Sequence, residues 1–382
     1  MAAMAPCGDD AGHDDGPDAS ATLELFVPGR LCLIGEHSDW AGGFRQQNPA
    51  LTAGVCLVVG TNQGLHARAR ATAARTLALS CTVADAAPRT TEIPLEAGAL
   101  LAVAQAGGFF SYAAGVAYRL VLEHKLQGGV AIDNYRTTLP VGKGLSSSAA
   151  LCVLVARAFN RLHGLKLSTR GEMEVAYRGE TTTPSQCGRL DQCCAFGPGA
   201  TVRMTFDGED LRCERVAVGA ALHFVVVDLG ASKDTKEILS ALREGYPEPA
   251  TPAQARVAAF LGPDNARLVG AARAALVAGD PAALGAAMSE YQALFDRMVA
   301  PACPAQLRAP VLHAAIADAD LAPHVYGAKG VGSQGDGTAQ FLCRSAADQA
   351  AVLALVETKW PAMRAMPLTI AASAAGAGAD LL

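Results

Sequence analysis

The sequence predicts an α+β fold in two domains, and three observations lead to that prediction. The chain has 382 residues, which is long for one compact domain and comfortable for two. It is 51% hydrophobic, so a large core can be buried. Strand-like alternation and helical spacing mix along the chain without an internal repeat. The stretch FDGEDLR, from Phe206 to Arg212, interrupts these patterns, and we place the boundary there, between domains of residues 22–208 and 209–382.

The predicted N-terminal domain combines strands with three helices. Strand patterns occupy residues 23–34, 57–71 and 128–140. The first pattern is broken at Pro28 and Gly29, and the second contains a turn at residues 62–64. A polar loop follows the first of them. Helical spacing occupies residues 111–125, 149–164 and 168–180, the last with Ser168 as its cap.

The predicted C-terminal domain begins with an interior strand over residues 221–230. Helical patterns follow over residues 253–299 and 307–320. A glycine-rich loop from Gly327 to Gly337 then leads to a strand, a helix and a last strand over residues 366–373.

Composition argues against several classes of protein. The formal net charge is −5, the basic residues are scattered and aromatic residues make up 5%, so no nucleic-acid-binding surface is expected. No apolar run reaches the roughly 18 residues that span a bilayer, so no membrane partner is expected. Residues 1–21 are rich in Asp, Gly and Ala and match neither a secretory signal nor a transit peptide. We expect this tail to be disordered and the protein to be cytoplasmic.

The 11 cysteines are odd in number and scattered, which favours reduced thiols. Cys187, Cys193 and Cys194 cluster, but no second group of ligands has zinc-like spacing. We therefore interpret them as small hydrophobic residues.

The stretch LPVGKGLSSSAA, from Leu139 to Ala150, predicts an anion-binding site. At a helix N-terminus the first backbone N–H groups are unpaired and the macrodipole is positive. Gly142 and Gly144 allow a tight loop, and serine hydroxyls add donors, so the segment suits a triphosphate. The alternative is a well-capped helix, which needs one serine rather than three.

Two other nucleotide-binding patterns fit poorly. Lys143 lies between the glycines and no Gly-Lys-Ser/Thr follows, so the segment is not a Walker loop. A G-x-G-x-x-G pattern at Gly330, Gly332 and Gly335 lies too far along the chain for a dinucleotide-binding unit.

Three segments together resemble the motifs of the GHMP kinases, a superfamily that includes galactokinase, homoserine kinase, mevalonate kinase and phosphomevalonate kinase. They are PGRLCLIGEHSDWAGG, LPVGKGLSSSAA and GAKGVGSQGDGTAQF, and the resemblance spans residues 22–375. It implies an N-terminal domain like part of ribosomal protein S5 and a ferredoxin-like C-terminal domain, with ATP at their junction. The ATP-binding residues it implies are Pro140, Gly142, Gly144, Leu145, Ser146, Ser147, Ser148 and Ala149.

The first segment resembles the galactokinase pattern G-R-x-N-L-I-G-E-H-x-D-Y-x-x-G. Glu36, His37 and Asp39 match residues that bind the hydroxyl groups of a sugar. Carboxylates accept hydrogen bonds from such hydroxyls, and their negative charge strengthens these bonds. Cys32 and Trp40 stand where the pattern has Asn and Tyr. The alternative is a polar surface loop or a histidine packed in the core.

The segment around Cys187 resembles the C-G-x-x-D-Q segment of galactokinases. By that match Asp191 is the catalytic aspartate and Arg30 its partner, with Asp191 either accepting the proton of the acceptor hydroxyl or orienting it. Arg189 stands where galactokinases have an apolar residue. Glu180 and Ser148 match the magnesium ligands of mevalonate kinases.

The resemblance implies an ATP-dependent sugar kinase acting on the anomeric oxygen of a monosaccharide such as galactose, as a monomer or homodimer. Residues 225–239 are closer to mevalonate kinases, and Gln334 and Asp336 interrupt the third motif. Arabinose, a sugar acid, a phosphorylated sugar or a mevalonate-type alcohol thus remain open as substrates, as do a non-catalytic sensor and a decarboxylase. A sugar acid needs an extra cation, for which Arg45 is the nearest candidate.

Overall fold

Two β-sheets organise the chain in this computed structural model, which describes residues 22–82, 87–140, 144–185 and 187–373. The predicted disordered tail, residues 1–21, lies outside the described residues. The strands are β1 (Leu23–Ile34), β2 (Gly54–Thr72), β3 (Thr76–Cys81), β4 (Arg89–Pro94), β5 (Gly129–Thr137), β6 (Thr201–Asp207), β7 (Asp210–Arg215), β8 (Leu222–Asp228), β9 (Val325–Gly330), β10 (Thr338–Cys343) and β11 (Arg364–Ile370). The helices are α1 (Ser38–Gly43), α2 (Ala97–Ala106), α3 (Ser111–Glu123), α4 (Ser147–Leu162), α5 (Thr169–Glu180), α6 (Thr235–Arg243), α7 (Pro252–Ala259), α8 (Asn265–Ala278), α9 (Pro281–Met298), α10 (Pro304–Leu307), α11 (Pro310–Ile316) and α12 (Ala346–Lys359).

The first sheet contains β1 to β7 and is built around the 19-residue strand β2. The order is β4-β3-β5-β2-β6-β7, with β1 antiparallel to β2, and β3 and β5 form the parallel pair. The predicted turn at residues 62–64 is wrong, because β2 continues through it. Gly64 serves close packing instead, since a Cβ there would lie 2.4 Å from the Val27 carbonyl oxygen.

The predicted break at Pro28 and Gly29 is also wrong, because β1 continues through it with an irregular register. Gly29 allows the chain to approach residues 144–148, here called the serine loop, as a Cβ at Gly29 would lie 2.7 Å from the Leu145 carbonyl oxygen. The Arg30 N–H donates to that same oxygen at 3.1 Å. At this irregular part of β1, the first motif of the sequence therefore contacts the second.

Helix α4 packs against β1, β2 and β5 and contacts both α3 and α5, which also pack against each other. Residues 149–159 are buried all round, as the predicted buried helix requires. The predicted cap of α5 is confirmed, since the Ser168 hydroxyl accepts a hydrogen bond from the Gly171 N–H at 3.1 Å.

The second sheet is antiparallel, with the order β11-β8-β10-β9. Helices α6 to α11 connect β8 to β9, and α12 connects β10 to β11, which gives the βαββαβ arrangement of a ferredoxin-like unit. The predicted interior strand is β8, and both of its faces are buried. Phe224 and Val226 belong to the core shared with the first sheet, whereas Val225 and Val227 pack on the other side. The α+β prediction and its ferredoxin-like part are confirmed.

The first sheet continues past the predicted boundary at Phe206 to Arg212. Gly208 has a φ of 63° and forms the turn of a hairpin between β6 and β7. A hairpin turn and a domain linker share the same composition, so the pattern did not distinguish them. The predicted helix over 253–299 is divided into α7, α8 and α9, and the predicted loop begins after β9 rather than at Gly327. In the described ranges, no helix has both the length and the apolar character needed to cross a bilayer.

Candidate active site

A cavity of about 510 Å³ lies where the two sheets meet. The predicted site residues that line it are Arg30, Glu36, His37, Asp39, Gly144, Ser146, Ser147, Ser148, Glu180 and Asp191. Leu145 and Ala149 are buried in the core, and Pro140 does not line the cavity. Gly142 lies outside the described residues.

Arg30 and Asp191 form an ion pair at the centre of this cavity. Arg30 Nε donates to Asp191 Oδ1 at 3.0 Å, and Nη2 pairs with the same oxygen. Nη1 donates to the Gly144 carbonyl oxygen at 2.6 Å, which ties the pair to the serine loop. Although burial disfavours the charged guanidinium, the neighbouring Asp191 raises the pKa of Arg30. The arginine side chain is 7% exposed and the aspartate 24%, so the aspartate faces the open cavity.

The serine run is not an ordinary helix cap. Ser146 occupies the N-cap position of α4 with a φ of 58°, and its side chain makes no capping hydrogen bond. Its hydroxyl instead donates to Asp191 Oδ1 at 2.9 Å. The positive end of the α4 dipole therefore faces the cavity next to the Arg30–Asp191 pair, as an anion-binding site requires.

Glu180 ends α5 at the other side of the cavity and is 1% exposed. It accepts a hydrogen bond from Gln192 Nε2 at 2.8 Å, and the Ser148 and Ser185 hydroxyls also favour its ionised form. Burial and the negative charge of Asp191 nevertheless raise the pKa of Glu180 to about 7. A carboxylate held against such a penalty beside a hydroxyl fits a divalent cation, since magnesium prefers hard oxygen ligands.

The described residues contain no group of three or more His, Cys, Asp and Glu residues able to hold a metal. Each cysteine in the described ranges has a free thiol, as expected of reduced cysteines.

Asp39 and His37 are held in fixed orientations at the start of α1. Asp39 accepts backbone N–H bonds from Trp40 at 2.9 Å and Leu190 at 3.3 Å. Gly188 leaves room for that carboxylate, because a Cβ at this position would lie 1.7 Å from Asp39 Oδ2. Burial and the nearby Asp191 raise the pKa of Asp39.

His37 is a neutral donor at neutral pH. Burial, with a contribution from nearby cations, lowers the pKa of His37 to about 4. Its Nδ1 accepts a hydrogen bond from Trp40 Nε1 at 3.1 Å, which leaves the proton on Nε2. Within the described residues Nε2 has no hydrogen-bond partner of good geometry, although the Ser333 backbone lies near it.

Glu36 has a partner that the sequence analysis missed. Its Oε1 pairs with Lys329 Nζ, and both side chains are buried, 3% and 0% exposed. Lys329 also donates to the Gly330 carbonyl oxygen at 2.7 Å. Glu36 Oε2 has no hydrogen-bond partner of good geometry among the described residues, although the Tyr291 hydroxyl lies close. The pair joins the end of β1 to β9, and therefore joins the two sheets beside the cavity.

Two residues that depart from the expected pattern, Arg189 and Asp336, and the candidate cation Arg45 do not line the cavity. Arg189 pairs with Glu174 and Glu209 and lies over the ring of Tyr177. Asp336 accepts the Leu312 N–H at 2.8 Å and so sits at the start of α11. Arg45 pairs with Asp207 and does not line the cavity, so the predicted extra cation for a sugar acid is wrong.

A model of the GHMP kinase N-terminal domain matches residues 111–198. These residues include the serine loop, Glu180 and Asp191, and both other motifs meet them in the cavity. Residues 111–198 are thus similar to the N-terminal domain of the GHMP kinases.

Over a longer stretch the chain is similar to bacterial galactokinases. It is 29% identical over 303 residues to a Roseiflexus galactokinase, covering 70% of this chain and 71% of that protein. It is 32% identical to a Streptomyces coelicolor galactokinase over 177 residues, which are 45% of this chain and 41% of that protein. The alignment with the latter thus spans less than half of the relative's length.

Solved structures share the whole fold at low sequence identity. Lactococcus lactis galactokinase complexed with galactose has a TM-score of 0.70 and 18% identity, over 93% of this chain and 95% of that chain. L. major mevalonate kinase in complex with R-mevalonate has a TM-score of 0.67 and 19% identity, over 94% of this chain and 99% of that chain. The GHMP kinase fold predicted from the motifs is therefore confirmed.

Proposed function

We propose that this protein is an ATP-dependent kinase that transfers the γ-phosphoryl group of ATP to a sugar hydroxyl. The observation that carries the proposal is the Arg30–Asp191 pair, which contacts both Gly144 and Ser146 at the start of α4. A group that can accept a proton thus lies directly beside an anion-binding helix N-terminus.

In this reaction Asp191 orients the acceptor hydroxyl and accepts its proton, while Ser146 and Arg30 fix the carboxylate. Arg30 also stabilises negative charge on the transferred group. Phosphoryl transfer needs little covalent help from the protein, so positioning and charge neutralisation account for most of the rate increase. The acceptor hydroxyl becomes bonded to phosphorus as the bond from phosphorus to the ADP oxygen breaks.

Ser148 and Glu180 are the residues that would hold magnesium, and a bound cation would neutralise charge on the phosphates. Ionisation of Glu180 costs energy in the buried site, so a cation beside it offsets that cost.

The acceptor lies against Glu36, His37 and Asp39 in this proposal. Glu36 offers a carboxylate oxygen, and His37 an imidazole N–H, that has no well-aligned hydrogen-bond partner among the described residues. Asp39 offers sugar hydroxyls a second carboxylate. The resemblance to galactokinases supports an anomeric oxygen as the acceptor atom. A non-catalytic sensor that binds sugar and ATP is the second candidate, because binding needs the same residues.

The test is ADP release with ATP and magnesium over galactose, arabinose, glucuronate, galacturonate, N-acetylgalactosamine, a heptose phosphate and mevalonate. We expect turnover with at least one sugar, phosphorus NMR showing an anomeric phosphate, and a loss in kcat of about 10²–10⁴ in Asp191→Asn. Asp207→Asn is the matched control, because Asp207 pairs with Arg45 outside the cavity. Sugar and ATP binding without ADP release from any acceptor would favour the sensor.

A further inference from the structure

A lysine without a carboxylate partner lies at the acceptor end of the cavity. Lys233 comes just before α6 and lines the cavity with Glu36 and His37. Among the described residues its ammonium group makes one hydrogen bond, to the Val331 carbonyl oxygen at 3.4 Å, and forms no ion pair. Gly337 packs so closely on the side chain that a Cβ there would lie 2.7 Å from Lys233 Cε. The loop after β9 therefore fixes the position of this cation.

The surroundings of Lys233 do not neutralise its charge. Burial lowers the pKa of Lys233 to about 8, while Glu36 opposes and Arg30 reinforces that effect. Glu36 is already paired with Lys329, and Arg30 with Asp191. A partly dehydrated cation without an anion is costly, and a ligand that brings a negative charge offsets the cost.

The electrostatics of Lys233 agree with a position close to the acceptor residues that line the same cavity. The carboxylate that acts on it is Glu36, and Lys233 is itself among the cations that lower the pKa of His37. Both Glu36 and His37 belong to the proposed acceptor site.

A second cation, Arg243, also lies near His37. The Arg243 guanidinium lies 5.3 Å from the centre of the Trp40 ring, and Trp40 donates to His37. Arg243 Nε is buried without a hydrogen-bond partner in the part of the chain that the structure describes. Among the described residues the acceptor end thus holds two cations that form no ion pair, Lys233 and Arg243, against one such carboxylate, Asp39.

We propose that the acceptor is an anionic sugar whose carboxylate or phosphate substituent is held by Lys233. The inference rests on the proposed function, since it specifies the acceptor class of the same reaction. A lysine ammonium is a point charge that serves either anion, so the shared chemistry is the negative group and not its identity. The phosphates of ATP are the competing source of negative charge, because Val331 also lies near Gly144.

The test compares acceptors that differ only at C6: galactose, galacturonate and galactose 6-phosphate, and the same series built on glucose. Steady-state ADP release is measured for the wild type, Lys233→Met and Lys233→Arg, with acceptor and ATP varied in turn. Arg45→Met is the control, because that cation lies outside the cavity. Thermal unfolding of each variant verifies that it is folded.

We expect a charged acceptor to exceed its neutral counterpart about tenfold or more in kcat/KM. Lys233→Met should lower that value about 10–100-fold through the acceptor KM, as loss of a hydrogen bond to a charged group predicts. The KM for ATP and turnover of the neutral sugar should stay within about threefold, and Lys233→Arg should retain part of the preference. Turnover of galacturonate or of galactose 6-phosphate identifies the anion as carboxylate or phosphate.

Other outcomes overturn the inference in distinguishable ways. Preference for the neutral sugars would leave the kinase proposal intact and refute the anionic acceptor. An equal loss for all acceptors with a raised KM for ATP would assign Lys233 to the nucleotide. Absence of ADP release with every acceptor in both panels would count against the proposed function itself, and the inference would fall with it.

Discussion

Glu180 allows the electrostatics of the site to be tested in the protein without metal or nucleotide. Burial and Asp191 raise its pKa from 4.5 to about 7 in the folded protein. In the unfolded chain the group titrates near its ordinary value, so the folded state holds the extra proton between those two pH values. One pH unit of difference corresponds to roughly 1.4 kcal/mol. Ionised Glu180 therefore lowers the free energy of unfolding by about 3 kcal/mol above pH 7, and this penalty vanishes as the pH falls below 4.5.

Glu180→Gln keeps the shape of the side chain and removes its titration. The glutamine oxygen can still accept from Gln192, and the Ser148 and Ser185 hydroxyls can turn to accept from the new amide. We compare the free energy of unfolding of the variant with that of the wild type at each pH. The difference, variant minus wild type, should increase by about 2–3 kcal/mol as the pH is raised from 5 to 8. Urea unfolding with EDTA and no nucleotide measures the difference, and Glu248→Gln, at an exposed glutamate, is the control. A difference that does not change with pH would refute the reasoning.

Three further predictions concern single side chains of the site. Ser148→Ala should raise the magnesium concentration needed for half-maximal turnover, and an unchanged magnesium titration would remove Ser148 from the ligands. Asp39→Ala should raise the acceptor KM with little change in the KM for ATP, whereas a collapse of ATP binding, measured by calorimetry, would contradict the assignment. Lys329→Met should lower the free energy of unfolding by about 3–5 kcal/mol because it leaves Glu36 buried and unpaired. Urea unfolding should show partial recovery when Glu36→Gln is added, and a loss below about 1 kcal/mol would mean that water reaches the pair.

The elements with regular periodicity were predictable from the sequence. Helices α3, α4 and α5 and strands β5 and β8 follow the expected residues closely, because side-chain period is a local property of the chain. The breaks at Pro28 and at residues 62–64 were wrong for one reason. Glycine and proline mark a turn, an irregular strand or a close approach with the same letters, and only the neighbouring strand decides which.

The composition of the site and one of its two ion pairs were predictable from the sequence, and the other ion pair was not. The resemblance to known motifs predicted that Arg30 and Asp191 form a pair, and the structure places them in contact. Lys329 was missed as a partner of Glu36 because 293 residues separate the two, and no spacing along the chain indicates such a contact. Lys233 lies in the segment that resembles mevalonate kinases, but the sequence did not mark it as a site residue. Only the structure shows that it lines the cavity and that, among the described residues, it forms no ion pair.

Backbone strain supports the same location for the site. Five non-glycine residues of the described chain have positive φ angles, and two of them, His37 at 68° and Ser146 at 58°, line the cavity. Glycine would adopt either conformation without penalty, so the side chains must compensate for the strain. His37 is held by Trp40, and Ser146 donates to Asp191. Strain of this kind persists where the surroundings over-determine a residue, and here both residues present a polar group to the cavity where acceptor and phosphate are proposed to meet.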